Sequence, residues 1–304
     1  MPKRSDIIIQ SILLRRKSMK INELFRKKTV LSFEVFPPKR TAPIETIYET
    51  LERLYKLGPD FISVTYGAGG SDNCGKTLKI AGAILNRGIE SVAHLPCCGL
   101  SKPEVIALLE RFKDTGIQNL LALRGDIPDG KSFKGDFKHA SDLIEFINEN
   151  YDFNIIAACY PEGHTESDSI VSDMNHLKAK VDCGAGQLIT QLFFDNRYFY
   201  NFKERCALMN IDVPIQAGIM PVTNTKQIER MVSLCGVHLP QKFKAVMQKY
   251  EGSPEALRDA GIAYAVDQIV DLIAHGVDGI HLYTMNNPIV AAKIYEAVHS
   301  LISV

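Results

Sequence analysis

The sequence lacks an excess of charge of either sign, Lys+Arg and Asp+Glu each numbering 35. With no global field there is no drive toward nucleic acid or an anionic membrane, and the expected ligand is small and locally recognised. No apolar run reaches spanning length; the longest, such as DIIIQSILL near the start, fall far short, so no membrane association is expected. A cleavable targeting peptide is not expected either. Arg15, Arg16 and Lys17 make the N-terminus basic, but no small-residue cleavage pattern follows, and Asp6 and Glu23 are present. These residues read instead as an extra amphipathic helix, part of a helical extension over 1–29 that packs outside the main fold. The seven cysteines (Cys74, Cys97, Cys98, Cys159, Cys183, Cys206, Cys235) lack the even count of a disulfide framework. Several fall within apparent strands or helices, as reduced buried thiols do, so the expected compartment is the cytoplasm.

Two further absences narrow the chemistry. No strand is followed by G-x-G-x-x-G, so a bound dinucleotide would not be held by the Rossmann fingerprint. His94, Cys97 and Cys98 have no second ligand pair at matching spacing, and no metal is expected.

What is present is a rhythm. VLSFEVFPP (30–38) reads as a strand rich in β-branched and aromatic residues, and a helical pattern over 44–57 follows it, closed by Gly58. Strands are then predicted over 60–70, 90–97, 119–126, 154–163, 186–195, 213–222 and 279–286. Helices are predicted over 76–88, from Ser101 or Lys102 to Gly116, and over 140–150, 168–183, 198–209, 225–234, 260–274 and 288–302. Residues 237–260 break the spacing and read as an insertion with its own helix. Eight strand–helix units without a linker imply a parallel sheet with helical crossovers. The length of 304 residues and 46% hydrophobic content suit one (β/α)₈ TIM barrel domain over 1–304, preferred to an open doubly wound sheet because polar residues end nearly every strand.

Several of those polar residues invite chemistry. Alternation in SFEVFPP sends Phe33 and Val35 to one face and Glu34 to the other. A carboxylate directed into a barrel is costly unless paired or functional, and burial favours the protonated form a general acid needs. The bland alternative is a glutamate paired to lysine or arginine. LALRGDIPDG (121–130) delivers Arg124, Gly125 and Asp126 into one turn: a cation, a close backbone approach and a carboxylate. Tyr160 and His164, in YPEGH, suit stacking and hydrogen bonding with a flat polar ligand, or ordinary loop packing. Asp173, His176 and Lys180 share a helix face that could meet a pyrophosphate, or simply be solvated. Gln191, within LITQLFF, is an amide that needs partners if buried and can read a ligand's edge. A rival signal is Gly70 to Thr77, which satisfies G-x-x-x-x-G-K-[ST] between a strand and a helix and would make the protein a P-loop nucleotide binder using Lys76. Thr65 and Tyr66, and the seven other polar strand ends, are left unexplained by that reading.

Taken together, SFEVFPPK, VTYGA, AHLPC, LALRGD, YPEGH, LITQLFFD, GIMPV and LYTMN occur in an order that resembles the methylenetetrahydrofolate reductases of the flavin-dependent bacterial type, over roughly residues 30–300. The resemblance implies a (β/α)₈ barrel carrying FAD. It also implies hydride transfer from flavin N5 to the methylene carbon of 5,10-methylenetetrahydrofolate, giving 5-methyltetrahydrofolate in a ping-pong cycle that serves one-carbon metabolism and methionine synthesis. By the same resemblance Glu34 is the general acid that assists ring opening to an iminium, Asp126 stabilises that cation between flavin and pterin, and Gln191 touches folate or nicotinamide. FAD would be held by Thr65, Tyr66, Ala68, His94, Arg124, Gly125, Asp126, Ala140, Tyr160, His164, Asp173, His176 and Lys180. Gln227, Tyr283 and Asn287 would join Glu34, Asp126 and Gln191 around the folate. The chain departs from the family at His176 and Ala179, where asparagine and arginine are expected, at Met231, where some members have phenylalanine, and at Asn287, where an arginine associated with the folate tail is expected. NADH, NADPH, ferredoxin or a partner subunit could supply electrons. A homo-oligomer is expected, with a flavin- or folate-binding subunit that needs a partner as the alternative.

Overall fold

The computed structural model describes residues 18–38, 42–66, 72–127 and 135–302, without the side chains of 72–74, Thr225, Gln227, Arg230 and Leu234. Eight parallel strands close into a barrel in sequence order: β1 (Val30–Val35), β2 (Phe61–Val64), β3 (Glu90–Pro96), β4 (Asn119–Leu123), β5 (Asn154–Cys159), β6 (Gln187–Thr190), β7 (Ile215–Ile219) and β8 (Gly279–Tyr283). Strand β1 meets β8 in register, Val30 opposite Gly279 and Glu34 opposite Tyr283. The predicted (β/α)₈ class is therefore the observed one, and the open sheet is excluded.

Ten helices among the described residues form the outer layer: α1 (Glu45–Tyr55), α2 (Asp72–Asn86), α3 (Lys102–Thr115), α4 (Ala140–Asn150), α5 (Ile170–Asp182), α6 (Asn196–Leu208), α7 (Thr225–Cys235), α8 (Gln241–Tyr250), α9 (Pro254–Ala274) and α10 (Pro288–Ile302). Their starts and stops follow local chemistry. Ser101 and Glu104 form a reciprocal capping box at the start of α3, a proline follows the cap, and Gly116 ends the helix in the left-handed region at φ 86°. Ile47, Leu51 and Leu54 recur at helical spacing on α1 and are fully buried against the barrel.

The strands are shorter than their apolar runs. Residues such as Thr65, Tyr66, Tyr160 and Gln191 stand just beyond the last paired position, because a run of apolar side chains can continue past the ladder into a packed loop. Helix α9 begins at Pro254, six residues before the predicted start. Ser253 caps it by accepting from Ala256 N–H with Pro254 at its first position, so part of the predicted insertion belongs to this helix. The insertion's own helix is α8, whose Phe243 stacks on Phe194 with centroids 4.4 Å apart.

Alternation divides the first six strands between two cores. On β1, Leu31, Phe33 and Val35 face the helices. Val30, Phe61, Val92, Leu121, Ile156 and Ile189, one from each of the first six strands, meet inside the barrel with Ile21 beneath them. Of the N-terminal extension, residues 1–17 lie outside the described residues. The part that follows is a short 3-10 turn, Ile21–Arg26, and it lies under the barrel, not on the outer helical layer. Ile21 N–H donates to Asn119 Oδ1 (3.0 Å) and Asn119 Nδ2 donates to the Met19 carbonyl (3.0 Å), which pins the turn across the foot. Chemistry is thereby confined to the opposite end, where the strands' C-termini open.

Candidate functional site

Glu34 lies near the C-terminal end of β1 with its side chain turned into the barrel and 19% exposed. No lysine or arginine is described as its partner. Its Oε2 stands 3.5 Å from His94 Nε2 on β3 and 3.7 Å from His281 Nε2 on β8. Burial lowers the pKa of His94 to about 4, with the Glu34 carboxylate opposing and His281 reinforcing the shift, so His94 is neutral near pH 7. His94 Nε2 is buried and makes no hydrogen bond among the described residues, which leaves a polar ring atom facing the carboxyl without a partner. Tyr283, on β8, crosses the barrel, donates its hydroxyl to the Thr190 carbonyl (2.7 Å), and has its pKa raised well above the ordinary value by burial and by Glu34. Room for that ring comes from Gly218 on β7: a Cβ there would stand 2.3 Å from the Thr190 carbonyl oxygen and 2.7 Å from the tyrosine ring.

The loop after β8 holds the carboxyl's backbone. Thr284 Oγ1 donates to the Glu34 carbonyl at 2.6 Å. Asn286 reads both backbone groups of Phe36, accepting from its N–H (3.0 Å) and donating to its carbonyl (2.8 Å). Met285 and Asn286 adopt positive φ, 51° and 54°, to make that turn. Asn287 caps α10, its Oδ1 accepting from the N–H groups of Ile289 and Val290 (both 3.2 Å). The residue that departs from the family pattern thus has a structural task of its own.

Across the mouth the loops after β4 and β5 gather cationic and aromatic groups. Lys180 on α5 reaches back to donate to the Ala158 carbonyl (3.0 Å) and lies 5.8 Å from the Tyr160 ring; burial lowers its pKa, and it makes no ion pair among the described residues. Tyr160 and His164 meet edge to face with centroids 4.5 Å apart. Asp173 is buried beside them and accepts from Ser167 Oγ (3.4 Å). Arg124 is paired bidentately with Glu166 (2.5 and 2.8 Å). Gly125, at φ 84°, packs so closely on Pro96 that a Cβ would lie 2.9 Å from the proline's Cβ. A half-buried ammonium with no ion pair among the described residues, beside aromatic edges and a guanidinium, suits an anionic ligand with a flat ring, and the pyrophosphate and ring systems of FAD fit that chemistry.

Not every predicted residue joins a cluster. Asp126 and His176 are exposed, and Ala140 is the first residue of α4. Gln191 lies just past β6 with its Oε1 accepting from Leu192 N–H (2.9 Å). Ala68 lies outside the described residues, as does the side chain of Gln227. Of the P-loop look-alike, Gly70 and Ser71 lie outside them too; Lys76 Nζ donates to the Pro38 carbonyl (3.2 Å) and Thr77 Oγ1 to the Thr65 carbonyl (2.9 Å). Those bonds tie α2 to the barrel. Sequence reasoning missed His281, Thr284, Asn286 and Glu166. An imidazole alternating with apolar residues in GIHLY was the available signal for the first.

Polar side chains converging at the C-terminal mouth of a closed (β/α)₈ barrel define an enzyme of the barrel class. Within that class the family follows from comparison: residues 19–299 match the family described as Methylenetetrahydrofolate reductase, and the chain belongs to that family of oxidoreductases. A 5,10-methylenetetrahydrofolate reductase of Pectobacterium carotovorum subsp. carotovorum is 36% identical over 272 residues, covering 89% of each chain. Methylenetetrahydrofolate reductase (NADH) 1 of Arabidopsis thaliana is 38% identical over 275 residues, 85% of this chain and 46% of the plant protein. The chain therefore spans about half the length of that plant relative. A solved protein from Clostridium thermocellum, described as binding two copies of 5-methyl-5,6,7,8-tetrahydrofolic acid, superposes with a TM-score of 0.64 at 14% identity, over 98% of this chain and 99% of that one; at such identity the likeness is one of fold.

Proposed function

We propose that the protein reduces 5,10-methylenetetrahydrofolate to 5-methyltetrahydrofolate as an FAD-dependent enzyme, with Glu34 as the proton donor. The observation that carries this reading is Glu34 itself, a carboxyl at the barrel mouth faced by two histidines and no described lysine or arginine. When bound, FAD would supply the electron pair that reduces the methylene carbon and be recharged by NAD(P)H or another donor. Lys180, Arg124 and Gly125 would hold its phosphates, and Tyr160, His164 and His94 its rings, with Thr65, Tyr66, Ala68, Ala140, Asp173 and His176 completing the site. Glu34 protonates the departing amine nitrogen as the five-membered ring opens, and Asp126 offers its negative charge to the iminium. Gln191, Gln227, Tyr283 and Asn287 surround the folate.

The chain is read as one barrel domain, cytoplasmic and homo-oligomeric, feeding methionine synthesis. The test is direct. Purified protein should be yellow and bleach when a nicotinamide donor reduces it. Glu34→Gln should abolish folate reduction while flavin reduction persists; equal loss of both half-reactions, or none, refutes the assignment. A chain that binds FAD yet turns over only with a second protein would indicate a subunit and not a complete enzyme.

A further inference from the structure

Beneath Glu34 the barrel interior carries a continuous line of polar side chains that the proposed reaction has not yet used. Gln187 on β6 donates from Nε2 to Gln216 Oε1 (2.9 Å); Gln216 on β7 donates from Nε2 to Ser32 Oγ (3.0 Å); Ser32 on β1 lies 2.7 Å from His281 Nδ1. All four side chains belong to fully buried residues. The bond directions can be read from the chemistry of the acceptors. Gln216 Nε2 also faces the Ile280 carbonyl (3.5 Å), and a carbonyl only accepts, so the nitrogen of that amide is fixed. Ser32 Oγ therefore accepts from Gln216. Its own proton has a near acceptor in His281 Nδ1 at 2.7 Å and a distant one in the Ile280 carbonyl at 3.5 Å. Donation to the ring leaves Nδ1 unprotonated and puts the imidazole proton on Nε2. That nitrogen stands 3.7 Å from Glu34 Oε2 and 3.4 Å from Ser63 Oγ. The ring cannot easily turn away: Phe61 stacks on it with centroids 6.1 Å apart and Tyr283 meets it edge-on at 5.3 Å.

We propose that His281 is a positioning residue for Glu34, held by Ser32 in the tautomer that aims an Nε2–H at the carboxyl oxygen and steadies the carboxylate left after proton donation. The proposal rests on the reading of Glu34 as proton donor. Two other groups face that carboxyl, His94 from β3, with its buried Nε2, and Tyr283 from β8, whose hydroxyl is committed to Thr190, while Ser63 from β2 stands against His281 Nε2. None of them duplicates the role. Among the described residues no hydrogen bond fixes the His94 tautomer, and Ser63 reaches the site through His281. The gap of 3.7 Å is longer than a hydrogen bond, as catalytic contacts often are before substrate tightens them.

The chemistry separates two substitutions. In His281→Gln the new amide can stand near the former Nε2 and still donate to Glu34; in His281→Asn it stands near the former Nδ1 and cannot. His281→Asn should slow the folate half-reaction by about tenfold, the loss of one hydrogen bond to a charge, and move the alkaline limb of its pH profile upward, because the carboxylate has lost a donor. Flavin reduction by a nicotinamide should persist. His281→Gln should recover most of the folate rate. Separately, isotope-labelled histidine in the wild-type protein, with the His281 signals assigned by their loss in His281→Gln, should show Nδ1 unprotonated and Nε2 protonated at neutral pH. A ring protonated on Nδ1, or two variants that behave alike in the folate half-reaction, overturns the proposal. Should Glu34→Gln leave folate reduction intact, the proton-donor reading falls, while the tautomer measurement still reports on the His281 geometry by itself.

Discussion

The side-chain amide of Asn286 holds Phe36 by both of its backbone groups, at 3.0 and 2.8 Å, across 250 residues of sequence. The loop after the last strand thereby fixes the end of the first, two residues beyond the proposed acid. Asn286→Ala should lower stability by about 1–3 kcal/mol, since two backbone bonds are lost and a positive φ is left to alanine. Asn286→Gly relieves the backbone strain and keeps the loss of bonds. If the loop positions Glu34, both variants should slow the folate half-reaction, and chemical denaturation will show glycine the more stable.

Gly218 can be tested in the same way. In Gly218→Ala the methyl group would meet the Thr190 carbonyl at 2.3 Å and the Tyr283 ring at 2.7 Å, and one of them must move. A loss of about 2 kcal/mol is expected from overpacking. Tyr283→Phe, which deletes the hydroxyl but not the ring, should not relieve the clash with the carbonyl in the double variant.

His94 predicts a pH dependence. Its folded pKa, about 4, lies below the ordinary 6.5, so its contribution to stability is complete above 6.5 and is lost as pH falls toward 4. The full effect is on the order of 3 kcal/mol. Urea midpoints across that window should fall more steeply for the wild type than for His94→Asn; parallel curves would remove His94 as the cause.

Cofactor affinity should respond to the cations at the opposite side of the mouth. Lys180→Met should weaken FAD binding by at least about tenfold in a fluorescence titration, without loss of apoprotein stability, because the ammonium is half-buried with no described ion pair. Glu166→Gln should act in the other direction. Its carboxylate now occupies the guanidinium of Arg124, and removing that competitor should tighten binding by about threefold at low salt.

The fold was legible because periodicity is local. Alternation across SFEVF by itself places Glu34 inside, and glycines and capping residues set most helix ends. What escaped was long-range. His281 sits in GIHLY, a pattern equally at home in an inert strand, and its partner Ser32 is 249 positions away. Glu166 carries no local signal, because its pairing with Arg124 exists only after β4 and β5 lie side by side. Strand ends were overrun for a related reason: Tyr160 and Gln191 are as apolar in context as ladder residues, yet each sits where pairing has stopped.

The apolar ring formed by Val30, Phe61, Val92, Leu121, Ile156 and Ile189, sealed below by Ile21, makes the line from Gln187 to Glu34 a blind alley for protons. Carboxamides pass no proton along, and Gln187 Oε1, at the far end, has no described hydrogen-bond partner. An acid at the head of such a line cannot be refilled from beneath. Under the proposed role of Glu34, each proton it gives up would have to be replaced through the mouth, so recharging the acid would use the same opening proposed for the folate.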